Sequence, residues 1–279
     1  MFDYENVLAP FAVALVTGGS SGIGKAFIEL MAQANRGLAF CNLSRHAPAD
    51  LPAGVAARVH HVPCDLGNPA ERGRAAGEAI EYIRQQTHRP KILLINNSGF
   101  GSYGYFSAQE LSPQLDMLQV NVAGLLDLTG RLLPLLQERG GAIINVASLA
   151  AFQPTPFMAT YGATKAAVLH WSLALHEELR PQGIPVQALC PGPTRTAFHR
   201  RAGFAGRVVE DPLSLDAPAV VAASLRGLAR RRALVIPGWK NRVAVAVAGV
   251  LPRSLVVRLS ARILGRYRLR GLAVAAKAP

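Results

Sequence analysis

Only three cysteines, Cys41, Cys64 and Cys190, occur in the 279 residues of this chain. Their spacing is not that of metal ligands, and each falls at the end of a run that reads as a buried strand. Reduced structural thiols in a reducing compartment are therefore expected, rather than a disulfide scaffold or a nucleophile. No apolar run approaches the ~20 residues of a membrane span. The opening Met1-Phe2-Asp3-Tyr4-Glu5 is acidic where a signal peptide would be basic, so a cytoplasmic protein is expected, soluble or resting peripherally on a membrane. His60 and His61 lie side by side on an expected strand, which sends their rings to opposite faces. No acidic cluster with ligand spacing accompanies them, and no metal site is expected.

Acids are also scarce, 17 against 30 Lys and Arg, and the shortage is local. Residues 195–279 hold 17 of the bases and three acids, a net +14, while residues 1–194 carry −1. Such a distribution points to one charged face or appendage rather than to a surface that binds polyanions all over. From Lys240 onward there is no acid at all. Residues 243–251 form a short apolar run ended by Pro252, after which Arg258, Arg262, Arg266 and Arg270 recur every four residues beside Leu255, Leu259, Ile263 and Tyr267. A basic face against an apolar one is what a helix needs to lie on an anionic membrane surface. Helices that cover the substrate cleft or a subunit contact, with solvated arginines, would show the same pattern, and both readings stand. Nucleic acid is not an expected partner, because the charge travels with an apolar stripe and no binding module is recognised.

What the chain has in quantity is apolar runs alternating with helical periodicity. Strands are expected near 12–17, 38–44, 58–64, 91–96, 142–147, 184–190 and 233–237. Helices are expected over 22–35, 69–86, 107–138 with a break at Pro113, 159–180 and 216–230. Near-continuous apolar strands alternating with helices predict a parallel sheet covered on both faces. The expected fold is thus a single Rossmann-like, doubly wound α/β domain of about seven strands over residues 1–239, followed by a basic helical extension over 240–279. Ligands of such sheets bind beyond the carboxyl ends of the strands, where Gly18, Asp65, Asn97, Ser148 and Pro191 all fall.

Two motifs carry chemistry. Directly after the first apolar run comes Thr17-Gly18-Gly19-Ser20-Ser21-Gly22-Ile23-Gly24, a glycine-rich turn opening a helix. Glycine lets the backbone approach a pyrophosphate, whose charge then meets the helix N-terminus. The second motif is Tyr161-Gly162-Ala163-Thr164-Lys165, with Ser148 thirteen residues upstream. A spacing of four puts Tyr161 and Lys165 on one helix face. An ammonium near a phenol favours tyrosinate, so the Tyr161 pKa is expected to fall toward the range of a general acid.

These landmarks, with Asp65-Leu66, Asn96-Asn97-Ser98-Gly99, Asn121 and Pro191-Gly192-Pro193-Thr194-Arg195-Thr196 arriving in the same order, resemble the short-chain dehydrogenase/reductase family over roughly residues 10–240. One departure is Ser98, where the family usually has alanine. The resemblance implies hydride transfer between a nicotinamide and a carbonyl or carbinol carbon. Ser148 and Tyr161 would bond the substrate oxygen, and Asn121 would hold a water linking Lys165 to solvent. It further implies that Gly18, Ser20, Ser21, Gly22, Ile23 and Gly24 cradle the cofactor phosphates. Asp65 and Leu66 would meet the adenine, Asn97 and Gly99 the adenine-side ribose, and Lys165 the nicotinamide ribose. Pro191, Gly192 and Thr194 would hold the carboxamide, with Thr196 near the phosphates. A homodimer or homotetramer through the helices at 107–138 and 159–180 is expected on the same ground.

Cofactor choice turns on the end of the second strand. Ser44 stands where an acid would bond the ribose 2′-hydroxyl of NAD, and Arg45 can fork around the 2′-phosphate, so NADP(H) is expected. Phe198 and Phe204 in an arginine-rich lid over 198–209, the aromatic loop 100–106, and Phe152, Phe157 and Met158 suit a lipophilic ketone, aldehyde or oxoacyl compound. An epimerase or dehydratase of the same family, and a non-catalytic NADP-sensing or membrane-associated adaptor, are the alternatives. The glycine spacing argues against the former and the intact Ser148, Tyr161 and Lys165 against the latter.

Overall fold

A computed structural model describes residues 2–86, 91–203 and 213–265 of the chain. Seven strands form one sheet in the order β3-β2-β1-β4-β5-β6-β9. They are β1 Phe11–Thr17, β2 Ala39–Ser44, β3 Val59–Pro63, β4 Lys91–Asn96, β5 Gly141–Val146, β6 Val186–Leu189 and β9 Leu234–Val235. Every neighbouring pair is parallel. The doubly wound parallel sheet read from the apolar runs is therefore the fold. Strand order reverses between β1 and β4, which opens a crevice at their carboxyl ends.

Alternation along the strands divides the core into two layers. Ala14 and Val16 of β1, with Leu93 and Ile95 of β4, face one layer. Helices α1 Tyr4–Leu8, α2 Gly22–Ala34 and α9 Ala217–Ala229 close it, with α3 Ala53–Ala56 at its margin. Val13, Leu15, Ile92 and Leu94 face the other, covered by α4 Pro69–Gln85, α6 Gly124–Arg139 and α7 Ala159–Leu179. His60 stacks on Tyr82 with ring centroids 4.4 Å apart, whereas His61 lies 3.0 Å from Asn42 Nδ2, so the two rings do go to opposite sides.

One expected helix is built differently. Pro113 does not break the segment over 107–138. It is the third residue of α5 Leu111–Leu118, where its missing N–H would have lacked an intrahelical partner in any case. The interruption comes later, as a π turn over Gln119–Ala123 that carries the buried Asn121, and α6 follows it. Pro134 sits inside α6 without ending it. A further pairing had no sequence signal: β7 Thr194–Arg195 runs parallel to β8 Leu215–Asp216, joined by Arg195 donating to Asp216 at 2.9 Å.

The basic extension forms two helices, α10 Trp239–Val250 and α11 Arg253–Gly265, behind the short α8 Phe198–Arg201 in chain order. Arg266, Tyr267 and Arg270 lie outside the described residues, as do Phe204 and the rest of the expected lid from 204 to 209. Among the described residues no helix is long and apolar enough to cross a membrane.

Leu94, on the central strand β4, is completely buried. Leu94→Ala should cost about 2–5 kcal/mol of stability through lost contacts and the cavity left behind, read as a lower urea midpoint at unchanged slope. A loss under about 1 kcal/mol would contradict the close packing of this layer.

Candidate active site

The carboxyl ends of the strands open onto one cleft of about 950 Å³. At its β1 end the backbone turns sharply into α2, with Gly22 at φ +58°. A Cβ on Gly24 would stand 2.4 Å from the Gly18 carbonyl and 2.5 Å from Asn97 Nδ2, so only glycine fits. Asn97 donates to the carbonyls of Thr17 and Gly18, tying the ends of β1 and β4 together. Ser21 caps α2 by backbone position alone, with no hydrogen bond from its side chain, and the first turn holds no acid. The N–H groups of a 13-residue helix are thereby left to face the cleft, which is the arrangement an anion needs.

At the end of β2 the structure fixes Ser44 and leaves Arg45 at large. The Ser44 hydroxyl accepts from Asn42 Nδ2 at 2.8 Å and donates to the His46 carbonyl at 2.7 Å. Asn42 in turn accepts from the Gly19 N–H at 2.8 Å, linking this corner to the glycine loop. Arg45 is exposed, lines the cleft, and makes no hydrogen bond or ion pair among the described residues. A cradle of glycines, an uncapped helix N-terminus and a free guanidinium fit a dinucleotide carrying an extra phosphate. Asp65 borders the same cleft and accepts from the Gly67 N–H. The Leu66 carbonyl is taken by the buried Arg72 at 2.7 Å.

The reactive end lies between β5 and α7. The hydroxyl of Ser148 lies beside that of Tyr161 and acts to lower the phenol's pKa, and Ser148 Oγ accepts from the Ala150 N–H at 3.1 Å. Lys165 is buried, and its ammonium donates to the Val146 carbonyl at 2.8 Å. It lies 5.9 Å from the centre of the Tyr161 ring. Burial pulls Lys165 down to about 8. Burial also pushes the Tyr161 phenol up to about 12, and the nearby Ser148 hydroxyl only partly opposes it. The expected fall in the phenol's pKa is thus reversed in this state of the protein. Tyr161 is walled in by Tyr103, Met117 and Met158, and this apolar surround outweighs an ammonium that is engaged elsewhere.

Asn121 is bonded at both ends of its side-chain amide. Its Oδ1 accepts from the Phe100 N–H at 3.0 Å, and its Nδ2 donates to the Phe100 carbonyl at 2.9 Å and to Thr164 Oγ1 at 3.1 Å. The side chain is spent on positioning the loop after β4 against α7, close to Gly99. Pro191, Gly192, Thr194 and Thr196 line the cleft beyond β6. Thr194 donates to the Gly192 carbonyl at 2.9 Å, holding this turn.

A family model for short chain dehydrogenases matches residues 12–203. The chain belongs to the short-chain dehydrogenase family. An uncharacterized oxidoreductase, YbbO of Escherichia coli K12, is 37% identical over 186 residues, which is 66% of this chain and 66% of that protein. The alignment therefore spans just under two thirds of that relative's length. A short-chain dehydrogenase from Sphingobium yanoikuyae solved with NADPH is 30% identical, with a TM-score of 0.71 over 88% of this chain and 98% of its own. A bulky-bulky ketone specific alcohol dehydrogenase from Comamonas testosteroni is 27% identical, with a TM-score of 0.67 over 88% and 96% of the two chains.

In this short-chain dehydrogenase the extension after residue 239 is part of the cleft wall, and the family's motifs gave no hint of it. Val247, Leu251, Val256, Leu259, Ile263 and Leu264 all line the cleft. Among the described residues these helices cover the cleft, as one of the two readings held. Tyr103, from the aromatic loop, donates its hydroxyl to the Leu264 carbonyl. Asn241 is buried behind Gly192, where an added Cβ would come within 2.7 Å of its amide, and it donates to the carbonyls of Pro237 and Leu213. Asn241 stands between Lys240 and Arg242, ahead of the apolar run, so the sequence carried no signal of its burial. Of the expected aromatic wall, Phe100, Met158 and Phe198 line the cleft, whereas Tyr105 and Phe106 are exposed elsewhere.

A pH signature follows from Lys165. Its folded pKa of about 8 lies below the ordinary 10.5, so between these values the native state binds fewer protons than the unfolded state and stability rises with pH. Compared with a Lys165→Met variant, the wild type should gain about 3 kcal/mol between pH 8 and pH 10.5, measured by urea denaturation of both proteins across that range. A difference independent of pH would mean that the ammonium is not buried.

Proposed function

We propose that the chain is an NADP(H)-dependent oxidoreductase that moves a hydride between a nicotinamide and a carbonyl or secondary alcohol of a lipophilic ketone, aldehyde or oxoacyl compound. The observation that carries this reading is the Ser148–Tyr161 hydroxyl pair lining a largely apolar cleft whose far end presents Arg45, unpaired among the described residues. The cofactor, when bound, supplies or accepts the hydride. Gly18, Ser20, Ser21, Gly22, Ile23 and Gly24 would approach its phosphates with backbone, together with Thr196. Arg45, beside Ser44, would hold the 2′-phosphate as a bidentate fork. Asp65 and Leu66 would border the adenine, and Asn97 and Gly99 the adjoining ribose. Lys165 would reach the second ribose, and Pro191, Gly192 and Thr194 the carboxamide.

The protein's own contribution is to the proton. A phenol held near 12 is fully protonated at neutral pH and is a proton donor to a carbonyl oxygen as negative charge develops there. Ser148 would bond the same oxygen and fix its direction. Lys165, near 8, exchanges protons close to neutrality and would restore the phenol. Asn121 would act by holding the Phe100 loop, and any water it keeps for Lys165 would be bound through its backbone in the π turn. Residues 1–239 would form the cofactor-binding and catalytic unit, with 240–279 as its basic extension, whose described part, to residue 265, adds a wall to the cleft.

Two further parts of this reading have their own support. The three cysteines are free and buried, as in proteins of the reducing cytoplasm. Leu111, Leu115 and Leu118 form an exposed stripe on α5, which favours a homodimer or homotetramer through α5–α6 and α7.

Fluorescence titration with NADPH and NADH, followed by turnover of ketones and aldehydes of increasing chain length, tests the proposal. NADPH should bind more tightly and kcat/KM should rise with chain length. Arg45→Ala should weaken NADPH by roughly tenfold or more, the loss of a charge-assisted bond, with NADH little changed. Equal weakening of both would remove Arg45 from the 2′-phosphate. Tyr161→Phe should lower kcat by roughly 10²–10⁴-fold with NADPH affinity retained. NADPH binding without turnover of any carbonyl compound would favour the adaptor.

A further inference from the structure

We infer that α10 and α11 form a docking face for an anionic phospholipid surface, and that the cleft opens onto that face, so that a lipophilic substrate enters from the bilayer. On α10 the exposed large apolar residues are Trp239, Val243, Val247 and Val250, at intervals of four, four and three. On α11 they are Leu255, Leu259 and Ile263, at intervals of four. Each set forms one stripe on its helix. A folded protein has no use for two such stripes in water unless something covers them.

Charge selects the occupant. Lys240, Arg242, Arg253, Arg258 and Arg262 are exposed beside the stripes, and none pairs with an acid among the described residues. The chain has no acid after Asp216, and residues 195–279 carry +14. A second copy meeting this face would set one basic surface against another, whereas an anionic lipid surface neutralises both at once. Trp239 lies at the start of α10 with Lys240 over its ring, an amphipathic pair suited to the headgroup boundary.

The stripes and the cleft are continuous. Val247, Leu259 and Ile263 belong to the exposed stripes and also line the cavity that reaches Ser148 and Tyr161. An apolar compound dissolved in a bilayer could therefore pass from lipid to the reactive end along an apolar surface. This route rests on the reductase reading, whereas docking does not.

The test is co-sedimentation of the full chain with vesicles of phosphatidylcholine alone or mixed with phosphatidylglycerol. Binding should require phosphatidylglycerol, weaken with salt, and shift Trp239 emission to shorter wavelength. Arg258→Gln with Arg262→Gln should weaken binding by roughly 25-fold, about fivefold for each basic side chain lost from an anionic surface. Trp239→Ser with Val243→Ser should reduce it as well. All four positions lie outside the cleft lining, so NADPH affinity and turnover of a water-soluble ketone should be unchanged, which shows that the variants fold. Absence of binding to anionic vesicles, or undiminished binding by the arginine pair, would overturn the inference. So would a lipid-free rise in mass with concentration that the Trp239/Val243 variant abolishes, since the face would then belong to a second copy. Failure of the reductase reading would appear separately, as loss of NADPH binding or turnover in a protein that still sediments.

Discussion

The site is organised around a lysine ammonium buried in the protein and bonded to the Val146 carbonyl at the end of β5. An ammonium taken out of water is costly unless it is bonded or gives up its proton. The Val146 carbonyl supplies a bond and burial lowers the affinity for the proton, so the two responses coexist. For this to hold, α7 and β5 must keep a fixed relation, and a buried polar layer provides it. Asn96 and Asn145 are partners in the sheet register, and Asn96 donates to Asn145 at 2.8 Å. Asn145 donates to Ser172 of α7, and Asn96 also donates to Thr129 of α6. Strand ends and both covering helices are thereby locked in one network, and displacement of any member would leave a buried polar group unpaired.

The same burial sets the phenol. A tyrosine beside a lysine reads, from spacing alone, as a lowered pKa. The pKa depends instead on what encloses the pair, and the enclosure comes from residues far apart in the chain: Tyr103, Met117, Met158 and Phe198. Spacing reports which side chains share a face, but it carries no record of solvent. The protonation states that result, a neutral phenol above a lysine near 8, are those a proton donor with a nearby source requires. They arise from desolvation and not from a direct charge contact.

Much of the rest was legible for a physical reason. Strands of a parallel sheet are buried on both faces, so β1, β2, β4 and β5 appear as near-continuous apolar runs, and their carboxyl ends necessarily share one edge. The glycine loop was visible because close backbone approach at Gly24 excludes any side chain. The π turn at Asn121 was not visible, since its residues have ordinary helical character and the turn is selected by tertiary bonds from Asn121 to Phe100 and Thr164. Pro113 misled because proline breaks a helix interior but is harmless in the first turn. The β7–β8 pairing, two residues on each side, is too short to have a period.

The extension shows most clearly how local pattern and tertiary role diverge. Its amphipathic periodicity was evident, but periodicity states only that one side is apolar, not which surface that side meets. Here the apolar residues exceed what the cleft can use. Val256 is buried against the domain, Leu264 is tied through its carbonyl to Tyr103, and Leu255 and Val250 remain in water. A wall serving the cleft alone would be satisfied by its inner residues, with polar side chains outside. A helix pair designed only to lie on lipid would not need Asn241 locked behind the turn at Gly192. The two requirements are met together when one pair of helices is anchored from within by buried hydrogen bonds and presents the remaining apolar surface outward among unpaired arginines. That arrangement ties the surroundings of Tyr161 to the same helices that face outward, because the Leu264 carbonyl holds the hydroxyl of Tyr103, whose ring, with the Leu264 side chain, belongs to the apolar enclosure that keeps the phenol protonated.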